Sequence, residues 1–310
     1  MMLVENGRAP RILPYLLIAL LVGCESSTEP TSESPADAPA YRIPVVVHVL
    51  HEGEPEGQGA NLSTARIERQ IEILNEDFGR KAGTPGENDH PSSVDARIEF
   101  VLARQTPEGT PTHGIHRVDI TQVENTVPPG NLFDHFAAYG YWDHTSYLNV
   151  WSLPFDADTI DVFLGLATGP RTDLPGADLL LAGEPIQSEG VLINHWHLGE
   201  SPDSSEHGMG RTLTHEIGHY LGLLHLWGAG DCENNDFCED TPPVSSPSLG
   251  CATPRVDCDG NPAMSNNYMD WTSDPCMTLF TRDQIERMRH VLRTSPERIS
   301  LRNSPALSAP

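Results

Sequence analysis

The stretch from His215 to His225 reads His-Glu-Ile-Gly-His-Tyr-Leu-Gly-Leu-Leu-His and constrains this chain more than any other part of it. His215 and His219 are four residues apart, so on a helix they stack one turn above the other on the same face. Two imidazoles so placed can hold one zinc ion and leave room for further ligands. His225 cannot join them from the same continuous helix: six residues past His219 is about 600° of rotation, roughly 120° off that face. Gly222 removes the difficulty, because glycine tolerates φ > 0 and can end the helix so that His225 swings back. Three neutral histidines leave a coordination position open for water, which marks a reactive rather than a closed structural site. Glu216, beside the first histidine, is the natural group to take a proton from that water and return it to a leaving amine. A buried amphipathic helix with incidental histidines is the bland alternative. The glycine and third histidine, both in register, argue against it.

At 310 residues the chain can form one large or two modest domains with a substantial core. Its 44 acidic residues against 19 Lys plus Arg give a net charge of −25, spread along the chain. That excess argues against nucleic acid and anionic membrane surfaces as partners. It favours basic peptide substrates, although a salty habitat would select the same surface. With 27 prolines and 26 glycines, a loop-rich fold is expected.

Residues 1–24 read as an export signal. Arg8 and Arg11 precede an apolar run from Ile12 to Val22 that is short for a membrane span. The run ends in Leu21-Val22-Gly23-Cys24, which resembles a bacterial lipobox and would place a lipid on Cys24. The plain alternative is a secretory signal with an incidental cysteine. Either way the chain is expected to be exported, as a membrane-anchored lipoprotein of a bacterial cell envelope or otherwise secreted. Residues 25–40, rich in Ser, Pro, Glu and Ala, are expected to be a disordered tether.

The β-branched run Ile43–Leu50 predicts a buried strand. A helix should follow, capped by Ser63, with Ile67, Ile71, Leu74 and Phe78 on one face and Gly79 at its end. Further strands are expected at Arg97–Ala103, Tyr147–Trp151 and Gly190–Ile193. Alternating strands and helices imply an α/β or α+β sheet layer. A last helix is predicted from the capping box Thr281-Arg282-Asp283-Gln284, with Ile285, Met288 and Leu292 buried. His195, His197 and the other histidines read as surface or packing residues. Cys232, Cys238, Cys251, Cys258 and Cys276 all follow His225. In an exported chain they are disulfide candidates stapling an irregular region, and their odd number leaves one over. A second zinc site is disfavoured because no CxxC pair is present.

The zinc motif, the Cys-rich segment and Asn267-Tyr268-Met269-Asp270 together resemble the metzincin zinc peptidases, and more narrowly the pappalysin (cytophagalysin, ulilysin-like) family. The resemblance covers about residues 41–295 and takes in IPVVVHVL, LNEDF, YLNVW, GRTLTHEIGHYLGLLHLWG, Asp240-Thr241-Pro242, NYMD and CMTLFTRDQIERM. It implies an α+β zincin: a mixed twisted sheet with a zinc-binding helix and a disulfide-stapled, irregular C-terminal part. Residues 41–300 would be the catalytic domain, with an upper subdomain 41–222, a lower one 223–300 and a tail at 301–310. It implies zinc on His215, His219 and His225, Glu216 as general base, and peptide or protein substrates. Met269 would form an apolar floor under the metal. By position it implies disulfides Cys251–Cys276 and Cys258 to Cys232 or Cys238. The loop with Asp236, Asp240 and Thr241 would bind calcium, the alternative being a solvated acidic loop.

Where the family usually has a tyrosine thought to stabilise the oxyanion, this chain has Trp271, whose indole can still donate a hydrogen bond. Asp274 matches the residue lining the S1′ pocket in arginine-preferring relatives. It would pair bidentately with Arg, and less well with Lys, on the C-terminal side of the cut bond. The competing function is a non-catalytic surface lipoprotein that keeps zinc for structure and binds peptides. The intact Glu216 argues against it.

Overall fold

The protein is described from a computed structural model covering residues 40–156, 163–180, 187–201, 206–233, 235–251 and 255–310. The export signal with Cys24, and the tether up to residue 39, lie outside the described residues.

The run beginning at Tyr41 becomes β1 (Tyr41–His51), buried along nearly its whole length. Such continuous burial is what a parallel strand covered on both faces requires. α1 (Thr64–Phe78) starts where the Ser63 side chain accepts from the Arg66 N–H, and ends at Gly79. β2 (Ile98–Leu102) and β3 (Ile115–Asp119) pair in parallel with successive halves of β1. α2 (Leu132–Ala137) leads to β4 (Leu148–Leu153), parallel to the other side of β1. After β5 (Gly165–Ala167) and α3 (Ala177–Leu180) comes β6 (Val191–Asn194), parallel to β4. The sheet order is β2-β1-β4-β6-β5, and only β5, the terminal strand, runs antiparallel. α4 (Arg211–Tyr220) carries the histidine pair. α5 (Arg282–Thr294) opens with the expected capping box, and its Ile285, Met288 and Leu292 are buried.

β3, β5, α2 and α3 carry too little periodicity in sequence to be foreseen: β5 has three residues and α3 four. The main core joins α1, α4 and α5 to one face of the sheet through Ile67, Leu74, Val45, Val150, Leu213, Ile217 and Met288. A smaller cluster of Leu50, Val118, Phe133, Trp151 and Leu192 covers the other face. Residues 301–310 correct the expectation of a tail. Leu301 and Ala306 are fully buried, and the Arg104 N–H donates to the Ala306 carbonyl at 2.8 Å.

The irregular C-terminal part is held by Cys232–Cys258 and Cys251–Cys276. Cys238 is the cysteine left over, and burial pushes its thiol far above the ordinary range. His195 and His197 pack inside, each ring bonded to a backbone carbonyl, of Leu153 and His207 respectively. No helix among the described residues is long and apolar enough to cross a membrane.

Candidate active site

α4 ends at Tyr220, and Gly222 takes φ +93° just beyond it. A side chain there would be strained by that φ, and its Cβ would also fall 2.8 Å from Val291 Cγ2. The turn brings His225 back to the helix. The Nε2 atoms of His215, His219 and His225 lie 3.1–3.2 Å from one another. Among the described residues they form the one cluster of three or more His, Cys, Asp or Glu able to hold a metal.

The tautomers follow from the neighbours. His215 Nδ1 donates to the Tyr268 carbonyl at 2.6 Å and His219 Nδ1 to the Leu223 carbonyl at 2.8 Å. A carbonyl only accepts, so both Nδ1 atoms carry the hydrogen and both Nε2 atoms present lone pairs. His225 Nε2 accepts from the Trp271 indole N–H at 3.1 Å, so it too presents a lone pair. Apart from the Trp271 indole hydrogen at His225, no proton lies among the three converging Nε2 atoms, and a cation there would take all three lone pairs; the donor set fits zinc. Burial holds His215 down to about 3 and His219 to about 4, with His225 lower still, so all three rings are neutral at physiological pH, as a metal would require.

Glu216 is buried beside them, and burial pushes its carboxyl up to about 8. Its place depends on β5: a Cβ on Gly165 would fall 2.7 Å from Glu216 Cγ. Met269 lies beneath the helix, fully buried, where a Cβ on Gly218 would come within 2.4 Å of its Sδ. Glycine between the two helical histidines therefore makes room for the methionine. The helix is braced from behind by Asp77 of α1, whose carboxylate accepts from Thr214 Oγ1 at 2.7 Å and Arg211 Nη2 at 3.3 Å. This buried network was not legible in sequence, since α1 and α4 meet only in the fold.

A cleft of about 510 Å³ opens over the histidines, lined also by Leu164 to Ala167, His207, Glu216, Leu249, Trp271 and Asp274. Trp271 is half exposed. Asp274 lines the cleft but is fully buried, and it differs from expectation in what it offers. Its Oδ2 accepts from the backbone N–H groups of Met209 at 2.8 Å and Arg211 at 3.2 Å, capping the start of α4. Only Oδ1 lacks a hydrogen-bond donor, with His207 Nδ1 3.6 Å away. Bidentate pairing with arginine, expected from sequence, is therefore replaced by a single available oxygen. Asp236, Asp240 and Thr241 lie apart from the cleft lining. Asp236 Oδ1 accepts from Thr241 Oγ1 at 2.6 Å, while Asp236 Oδ2 and Asp240 Oδ1 are buried without a donor.

Helix, glycine turn and returning histidine over a buried methionine place the fold in the metzincin class of zinc metalloendopeptidases. Comparison with known proteins narrows that class. The family model for peptidase M43, pregnancy-associated plasma protein-A, matches residues 131–293, more than half of the chain. Mature mirolysin from Tannerella forsythia in complex with a cleaved peptide is 34% identical with a TM-score of 0.67, covering 86% of this chain and 96% of that one. Mirolysin in complex with compound 9 is 33% identical with a TM-score of 0.71, covering 88% of this chain and 100% of that one. An extracellular metalloprotease of Colletotrichum graminicola is 28% identical over 279 residues, 89% of this chain and 85% of that protein. The chain belongs to the pappalysin family of zinc metalloendopeptidases, peptidase M43.

Proposed function

We propose that this chain is an exported endopeptidase in which His215, His219 and His225 hold zinc and Glu216 is the general base, cutting before basic residues. The convergence of three Nε2 lone pairs beside a buried carboxylate carries the reading. Zinc bound there supplies Lewis acidity and lowers the pKa of a water toward neutrality. The cation beside Glu216 would favour its carboxylate, ready to take a proton from that water, and burial helps it hold the proton until the leaving amine needs one. β5 is the terminal strand of the sheet and lines the cleft, so its outer backbone groups can pair with an extended peptide. The Trp271 indole N–H, which donates to His225 Nε2, would be released once a metal takes that lone pair, leaving a donor beside the metal where a carbonyl oxygen gaining charge needs one. Asp274 Oδ1, buried without a hydrogen-bond donor and 3.6 Å from His207 Nδ1, suits a cationic side chain at P1′.

The orphaned oxygens of Asp236 and Asp240 suit calcium, which prefers carboxylate and carbonyl oxygen. Relatives named extracellular metalloproteases support export, and Cys24 is the proposed lipid attachment point. Casein digestion by the full chain and by Glu216→Ala, with zinc content measured in both, tests the mechanism. Cleavage by the wild type alone, with one zinc in each, is expected; equal cleavage by both would refute Glu216 as the base. Cys24→Ser is expected to move the protein from the membrane to the soluble fraction. An unchanged distribution would remove the anchor.

A further inference from the structure

The three histidines are not held alike. His215 and His219 each have their second ring nitrogen tied to a backbone carbonyl, at 2.6 and 2.8 Å. Such outer bonds fix both the tautomer and the ring orientation of a metal ligand. His225 Nδ1 has no such acceptor among the described residues. It also stands in irregular chain past the glycine turn, where no helix limits its rotation. Instead one face of its ring lies flat on the indole of Trp227, with centroids 4.3 Å apart and planes 8° from parallel. Trp227 in turn meets the Trp271 ring edge to face at 5.0 Å and 76°.

We infer that Trp227 is the positioning residue for the third zinc ligand, supplying by ring stacking the orientation that carbonyls supply to the other two. Stacking fixes the plane of His225, and with it the direction of the Nε2 lone pair, while leaving Nδ1 free. The Trp227–Trp271 contact extends the same brace to the indole N–H aimed at the site. The inference rests on the proposed zinc site, and its test separates the two. Trp227 is only partly buried, packed against the edge of the main core.

The test measures zinc affinity of the full chain by chelator competition, and the visible spectrum of its cobalt-substituted form, for wild type, Trp227→Leu, Trp227→Met and Trp227→Phe. If the wild type binds no zinc, the site reading itself fails. If it does bind, the leucine and methionine variants should each lose about tenfold in affinity, the lower end for outer partners of a metal ligand. Their cobalt spectra should change, while melting of the metal-free protein stays near wild type. Trp227→Phe, which keeps a stacking ring, should recover most of the affinity and the spectrum. Wild-type affinity and spectrum in the leucine or methionine variant would overturn the inference. So would a phenylalanine variant as weak as the leucine one, or a loss of zinc matched by an equal loss of metal-free stability. The methionine variant carries the test alone should the leucine variant fail to fold.

Discussion

The two oxygens of Asp274 are not equivalent. Oδ2 accepts two backbone N–H bonds at the start of α4, and Oδ1, in a residue that lines the cleft, is left without a hydrogen-bond donor. Replacing Asp274 by alanine would remove both functions together, so the informative substitution is Asp274→Asn. The amide oxygen can still accept the two backbone bonds, while the charge offered to a substrate is gone. The variant is expected to fold and bind zinc but to lose about a hundredfold in kcat/KM for peptides with Arg or Lys at P1′. That matches the roughly 2–5 kcal/mol cost of removing one partner of a buried charge pair. Peptides with an apolar P1′ should change little. Unchanged selectivity would show that the pocket floor lies elsewhere. One free oxygen also suits a lysine ammonium nearly as well as a guanidinium, since the two-pronged match that favours arginine is not on offer.

At the scale of an element, the Asp236–Thr241 loop is built as if around something. Burial raises Asp236 to about 6, an unfavourable setting for a carboxylate with one oxygen unpaired. The loop is tied to α5 through the Glu239 N–H bond to Asp283 and the Asp283 N–H bond to Asp240. Calcium at this loop should therefore stabilise the C-terminal part. Adding it to calcium-stripped, zinc-loaded protein should raise Tm, by mass action on the folded state. Asp236→Asn should abolish that rise; a rise of the same size in the variant would place calcium elsewhere or nowhere.

What sequence revealed and what it hid follow from the same physics. Ile43–Leu50, the Ser63-capped helix and the Thr281 capping box announce themselves because their signals are local. The zinc triad was legible for the same reason: all three histidines and the glycine between them fall within eleven residues. β5, His207 and the Asp77–Thr214 bond were not, since each acquires meaning only from a partner far along the chain. Trp227 is only two residues from His225, yet no periodicity marks it, because it lies in neither helix nor strand.

Across the whole molecule, acid should weaken the fold through His48 on β1. It is fully buried, its Nε2 donating to Asn149 Oδ1 at 2.9 Å, and burial holds its pKa down to about 3. Unfolded, it titrates near 6.5. Between those values the unfolded chain binds a proton that the native one does not, so this stability is full above 6.5 and drains away toward 3. Asp77 and Asp236 act with the opposite sign. Their folded values near 6 exceed the ordinary 3.8, so they favour the fold as pH falls through that interval. Tm measured from pH 7 to 4.5 should therefore fall less in His48→Gln than in the wild type. Parallel curves would assign the acid sensitivity to other groups. The antiparallel edge β5 has a consequence of a different kind. If a substrate must lie along that strand as an added one, a bond inside a target's helix or turn is chemically available but sterically out of reach until the target locally opens. Two targets sharing one basic cleavage sequence would then be cut at rates set by how often each opens, a tenfold difference for every ~1.4 kcal/mol of local stability, about the size of an ordinary destabilising point mutation.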